Sequence, residues 1–306
     1  MNKEIFKIIT EYEKPLALVT IIETKGSAPR HTGSKMLVDG VGVVAGTIGG
    51  GKGEYLSILE GQKMIEAQSF TVMDIARLGT DPKASLMICG GVNKLLIQYI
   101  DQELKLIFQK ALSVIESGEE IYLATDLISG KSYLKEKFSN EENHFYERLK
   151  PQDNLLILGG GYVGYALYEI GIYLGFEVSV FDDREDFVAR ERFPQARKLC
   201  SGVYEQMISE YSFNDHSYIA IVTRGHLQDG ECLKQVIRKK HKYLGLIGSK
   251  RKIKLIMEDL LQDGYHEEEL AQVHAPIGLD IKAETPEEIA ISVFAEIIEE
   301  KNGKKN

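Results

Sequence analysis

The chain has 306 residues, 43% of them apolar, and a formal net charge of −9. That length holds two domains of ordinary size. The acidic balance argues against a nonspecific nucleic-acid binder, whose phosphate contacts need clustered Lys and Arg.

No apolar run reaches the roughly 18 residues of a membrane span. The opening MNKEIFKIITEYEKPLALV lacks a continuous apolar segment with a small-residue cleavage site, so a cytoplasmic protein is expected. Three cysteines, Cys89, Cys200 and Cys232, are too scattered for a disulfide framework or a CxxC site. The histidines form no HExxH pair, and no metal site is expected.

In chain order, KEIFKIITEYE has helical spacing and PLALVTIIET is a strand-like run rich in β-branched residues. GSAPRHTGSK reads as a loop. MLVDGVGVVAGTI reads as two strands about a DG turn. GEYLSILEGQKMIEAQ is helical, TVMDIA and NKLLIQYI are strands, QELKLIFQKALSVIESG is a helix, and IYLATDL is a strand. Residues 129–152 are polar and weakly periodic, which suggests an edge hairpin running into a linker. The boundary is placed near 150, giving domains over 1–150 and 151–306.

The second half alternates more regularly. NLLILG, FEVSVFDD, SYIAIVT and KYLGLIG are strand-like; GYVGYALYEIGIYLG, DGECLKQVIRKK, SKRKIKLIMEDLLQDG and TPEEIAISVFAEIIEE are helical. Strands alternating with helices of this length predict a Rossmann-like parallel sheet. The first domain is a mixed α+β unit, so the whole chain is of α/β class.

Two glycine loops stand out. GTIGGGKG comes close to the phosphate loop GxxxxGK[ST], with Gly46, Gly51 and Lys52 in place, but Gly53 replaces the hydroxyl residue that would hold Mg²⁺. What survives is a run of Gly49, Gly50 and Gly51 opening a helix, where free N–H groups favour an anion. Glu54 in the first turn would either offset the helix dipole or accept from a ligand. Arg30 and Lys35 supply positive charge nearby in sequence, and Cys89 precedes Gly90 and Gly91, which makes it a candidate sulfur-handling thiol. The second loop has the full dinucleotide context: GxGxxG at Gly159, Gly161 and Gly164 follows a strand, opens a helix, and is followed about twenty residues later by Asp182. Arg224, His226 and Asp229 follow a later strand and would line the same crevice, or cap its turn.

GSAPRHTGSKMLV, GTIGGGKGE and CGG, then LLILGGGYVGYAL, VFDDREDFVARERFPQA, LGLIGSKRK and HAPIGLDIKAETPEEIAISVFAEI, together resemble the XdhC/CoxI family. These are accessory factors for xanthine dehydrogenase and related molybdenum hydroxylases. The resemblance implies a chaperone that binds molybdenum cofactor, assists its sulfuration with a cysteine desulfurase, and inserts it into the apo-hydroxylase, often as a dimer. It places Gly49, Gly50, Gly51, Glu54, Cys89, Gly90 and Gly91 in family motifs of the first domain. It leaves NAD(P) or another nucleotide as a possible ligand of the second. The alternatives are an NAD(P)-dependent oxidoreductase and a nucleotide-binding scaffold. Lys282 stands where the family commonly has glycine.

Overall fold

The computed structural model describes residues 2–25, 32–76 and 92–303. Two compact units divide it, Met1–Pro151 and Gln152–Asn306.

The first unit runs α1 (Asn2–Glu11), β1 (Ala17–Lys25), β2 (Lys35–Val38), β3 (Val43–Gly46), α2 (Gly51–Ala67), β4 (Phe70–Ala76), β5 (Val92–Tyr99), α3 (Gln102–Glu116), β6 (Ile121–Asp126), β7 (Ser132–Lys135) and β8 (His144–Leu149). Its larger sheet is antiparallel in the order β3-β2-β1-β5-β4. Antiparallel strands with one wet face alternate apolar and polar residues, but β1 is buried at six successive positions. The reason is cover on both faces. Leu18 and Leu37 pack with Ile5, Phe6 and Ile9 of α1 and Phe108 of α3. Val19, Ile21, Met36, Val38, Leu95 and Ile97 form the opposite layer, against Ile58 and Met64 of α2. Each such buried aliphatic contributes about 2 kcal/mol.

A second, three-stranded sheet has the order β7-β6-β8. Sequence reading expects only an edge hairpin and linker here. β8 instead pairs with the free side of β6, Ile121 opposite Leu149 through Asp126 opposite His144. Its HFYERL sequence hides this, because one of its two buried positions is a glutamate, Glu147.

The second unit runs β9 (Asn154–Leu158), α4 (Tyr162–Tyr173), β10 (Glu177–Asp182), a 3-10 turn (Glu185–Val188), β11 (Lys198–Ser201), α5 (Tyr204–Ser209), β12 (Ser217–Ile221), α6 (His226–Val236), β13 (Tyr243–Leu246), α7 (Lys250–Gln262), α8 (Glu267–Leu270) and α9 (Pro286–Asn302). All five strands are parallel, ordered β11-β10-β9-β12-β13. Leu155 and Ile157 face one core layer, shared with α4 and α9. Leu156 and Leu158 face the other, shared with α5, α6 and α7. The chain leaves β9 for β10 on one side and later takes β12 on the other. That reversal opens a crevice beyond the C-terminal ends of β9 and β12.

β11 and α5 are absent from the sequence reading. KLCS is short and has no buried position, and it becomes a strand only through its pairing with β10. α6 begins at His226, three residues earlier than the helical pattern suggests. The last helix starts as its sequence says, with Thr285 accepting from the Glu288 N–H and Pro286 in the first turn. Lys282 has φ 62°, the left-handed region that glycine enters most easily.

Candidate functional site

The loop between β3 and α2 turns on glycine torsions. Gly46, Gly49, Gly50 and Gly51 have φ of 76°, 125°, 79° and 70°. At Gly46 glycine is also required by space, since a Cβ would sit 2.3 Å from the Lys35 carbonyl oxygen. At Gly50 and Gly51 a Cβ would meet nothing within 4 Å, so the requirement there is torsional alone.

Glu54 organises this loop. Its Oε2 accepts from the Thr47 hydroxyl, the Ile48 N–H at 3.1 Å and the Gly50 N–H at 3.1 Å. The Gly49 N–H reaches Thr47 Oγ1 at 3.1 Å. Burial pushes the Glu54 carboxyl up, but these hydrogen bonds from Thr47 and the loop N–H groups outweigh it and hold its pKa below the ordinary value. The donors at Gly49 and Gly50, which the sequence suggests for an incoming anion, are therefore met from within the loop. Thr47 has no signal in the sequence beyond lying seven residues before Glu54.

Lys35 is placed differently from the sequence expectation. Its side chain is 1% exposed and its ammonium pairs with Glu147 of β8, with a further bond to the Gly33 carbonyl at 3.2 Å. Its backbone oxygen accepts from the Thr47 N–H. Lys35 thus fastens the base of the loop and ties the two sheets of the first unit together. Arg30, Cys89, Gly90 and Gly91 lie outside the described residues.

In the second unit the glycine loop is short of space at two motif glycines, Gly159 and Gly164, and at Gly160 between them. A Cβ on Gly159 would sit 2.4 Å from the Val222 carbonyl oxygen, one on Gly160 2.1 Å from that of Phe187, and one on Gly164 1.9 Å from that of Gly159. Gly161, the N-cap of α4, faces open space.

Asp182 is where the motif and this chain diverge. The carboxylate is 1% exposed, and both oxygens are filled by its own chain. Oδ1 accepts from Arg184 N–H and Nε at 3.0 and 2.8 Å; Oδ2 accepts from Gly160 N–H and Arg184 Nη2 at 2.8 and 3.0 Å. Burial raises this carboxyl, and the Arg184 and Gly160 donors more than offset that and lower its pKa. Asp183 accepts from Gln228 Nε2 at 2.7 Å and faces Arg224 Nη2 at 3.5 Å. Sequence reasoning passes over Arg184 and Arg192. The signal available is the basic residue directly after the acidic pair.

Asp229 is fully buried at the start of α6. It accepts from the Thr223 N–H and hydroxyl and pairs with Lys252 of α7. It caps the turn rather than lining the crevice. Cys232 is buried, and burial pushes its thiol well above the ordinary range. Among the described residues no group of three or more His, Cys, Asp or Glu is arranged to hold a metal ion. No helix among them is long and apolar enough to cross a membrane.

Comparison with known proteins is decisive about kinship. Residues 10–76 match the XdhC and CoxI family, and residues 155–297 match the XdhC Rossmann domain. The chain belongs to the XdhC and CoxI family. It is 30% identical over 297 residues to the uncharacterized protein YqeB of Escherichia coli K12, an alignment covering 96% of the chain but 45% of YqeB, so it spans less than half that protein's length. It is 26% identical over 319 residues to a Bacillus subtilis 168 protein named as a probable subunit of xanthine dehydrogenase, covering 95% of this chain and 94% of that one. It is 23% identical over 290 residues to the molybdenum cofactor insertion chaperone PaoD of Escherichia coli K12, covering 93% and 83%. A Bacillus halodurans protein whose crystal structure carries the name xanthine dehydrogenase shares the fold, with a TM-score of 0.84 and 22% identity over 100% of this chain and 97% of that one.

Proposed function

We infer that the protein is an accessory factor that handles molybdenum cofactor for a xanthine dehydrogenase-like hydroxylase. It binds the cofactor, assists its sulfuration, and passes it to the apo-enzyme as a carrier rather than a stand-alone catalyst. The observation that carries this reading is family membership in both units, joined by similarity along 93% of the chain to a protein named as a molybdenum cofactor insertion chaperone. An NAD(P)-dependent oxidoreductase would give the second unit a task and leave the first without one.

Glu54 is the described residue whose chemistry best fits a pterin. It is held charged and fixed in place, its hydrogen bonds from Thr47, Ile48 and Gly50 fall on Oε2, and a carboxylate has further lone pairs with which to accept from pterin N–H groups. A phosphate fits less well at Gly49 and Gly50, whose donors are already used. It falls instead to Gly51 and the first turn of α2, beside the exposed Lys52. Bound cofactor supplies the dithiolene-held molybdenum that the hydroxylase needs. Arg30, Gly90 and Gly91 belong to the same proposal, with Cys89 as the sulfur-handling thiol, a cysteine desulfurase as donor, and a homodimer as the working form.

The test is expression in cells that make the cofactor. Molybdenum and pterin should co-purify with the protein and fall by about tenfold in Glu54→Gln, the worth of a charged hydrogen bond. Finding neither on the protein, and no transfer to an apo-hydroxylase, defeats the proposal. A folded Cys89→Ala variant that delivers sulfurated cofactor at the original rate removes the sulfur role.

A further inference from the structure

A dinucleotide fold accepts a plain ribose through a carboxylate at the end of the second strand, with lone pairs open to the 2′-hydroxyl. Asp182 holds that position and fails the requirement. Four donors already fill its two oxygens, and it is 1% exposed. A ribose diol arriving here would find no acceptor on Asp182 without breaking a buried, bidentate carboxylate–guanidinium pair, and the neighbouring Asp183 is engaged by Gln228 and Arg224.

Guanidinium groups gather where the free acid is missing. Arg184 directly follows the acidic pair, lies 3.4 Å from the centre of the Phe187 ring, and keeps 28% of its side chain exposed. Arg224 stands across Asp183 and is 62% exposed. Arg192 donates to the Gly161 carbonyl at 3.3 Å, which fixes it beside the N-cap of α4. Its guanidinium is flanked by Tyr165, Phe187 and Phe193 at 5.3–5.4 Å, and no acidic partner is found for it among the described residues. The exposed Glu185 and Asp186 of the intervening turn pair with none of the three. Guanidinium donors in a planar fork suit phosphate oxygens, and an arginine near this acid is the feature that accommodates a 2′-phosphate.

We propose that the crevice of the second unit selects a ribose carrying a 2′-phosphate, so that NADP-type ligands bind and NAD-type ligands do not, with Arg184 and Arg192 as the specificity-determining residues. The site stands on this unit's own residues and does not depend on the molybdenum cofactor reading.

Isothermal titration of the full chain, prepared without molybdenum cofactor, tests this with NADP, NAD, 2′,5′-ADP and 5′-AMP. The 2′-phosphorylated members of each pair should bind about tenfold to a hundredfold more tightly, the worth of one or two charged hydrogen bonds. Because Arg184 also neutralises buried Asp182, the variants are Arg184→Lys and Arg192→Gln, each checked for an unchanged melting temperature. Arg184→Lys should shrink the NADP-to-NAD ratio, while Arg192→Gln should weaken NADP with the fold intact. Equal or tighter binding of NAD, or no heat from any of the four ligands at millimolar concentration, overturns the proposal. Loss of the preference would leave cofactor co-purification by the first unit untouched, so the two readings fail separately.

Discussion

The two glycine loops look alike in sequence and use glycine for different reasons. In GTIGGGKG, Gly50 and Gly51 are needed for positive φ, and the space beside them is empty. In GGGYVG, Gly160 and Gly164 lie against backbone oxygens at distances no Cβ could tolerate. The first loop is shaped by torsion and closed by a carboxylate, Glu54. The second is shaped by close packing of helix and strand, and its acid, Asp182, is itself closed by an arginine. Glycine count alone therefore says little about which N–H groups remain for a ligand. What decides it is whether a nearby carboxylate has already taken them.

Substitutions can break this contrast, and the largest effect is expected at the base of the first loop. Lys35→Met takes the lysine away from the buried Glu147 carboxylate, and breaking a buried pair in this way costs about 3–5 kcal/mol. Chemical denaturation should show that loss in the first unit, and a loss below about 1 kcal/mol would mean the pair is not a fastening. Next comes Gly164→Ala, which drives a methyl group into the Gly159 carbonyl. Overpacking of this kind costs up to about 3 kcal/mol, read as a lowered melting temperature of the second unit. A well-folded Gly164→Ala protein with its original stability would refute the packing account.

Glu54→Gln removes the charge that the Thr47 hydroxyl and the loop N–H groups converge on, at a cost of about 1.5 kcal/mol at neutral pH. The pH dependence carries the sharper signature. The folded pKa of Glu54 lies below 4.5, so its contribution is complete above that pH and is lost as the pH falls through the folded value. The stability gap between the original protein and Glu54→Gln should close as the pH drops below 4.5. A gap constant with pH would contradict a charged Glu54.

Gly50→Ala tests torsion without steric conflict. Gly50 has φ 79° and ψ −177°, a region essentially confined to glycine, so Gly50→Ala and Gly50→Asn should each cost about 1–3 kcal/mol. An unchanged melting temperature in both variants would argue against a torsional origin. The smallest effect is expected at Gly161→Ala. Gly161 has φ −65° and open space around it, so alanine fits and the melting temperature should not move. Binding of a 2′-phosphorylated nucleotide should nonetheless fall, because the added methyl occupies the approach to the α4 N-terminus.

Much of the architecture is legible in the residues. The alternation of apolar strand runs with helical spacing marks the second unit as a parallel sheet, and the GxGxxG context locates its crevice. The family motifs place both units in XdhC and CoxI. The failures have physical causes. The edge hairpin expected over 129–152 gives two strands there, but the pairing of β8 with β6 is hidden because its buried Glu147 reads as a solvent-facing residue until Lys35 appears opposite it. β11 is hidden because its four residues, none of them buried, carry no period of their own and depend on β10. Asp182 is recognisable as the acid of the motif, but its availability depends on Arg184, only two residues away. Asp229 reads equally as a crevice residue or a cap; Lys252, on the next helix but one strand removed, makes it a cap.

The sequence by itself determined the class of fold and the places where backbone must bend or pass close, because these rest on local torsion, periodicity and spacing, and its motifs carried the resemblance to the family. Tertiary structure alone decided which polar groups were left over for function. Lys35, Glu54, Asp182 and Asp229 are all charged residues of the kind that bind ligands. Each was assigned a partner, or left partly open, by residues that folding brought to it, since a buried charge must be matched wherever its partner lies in the chain.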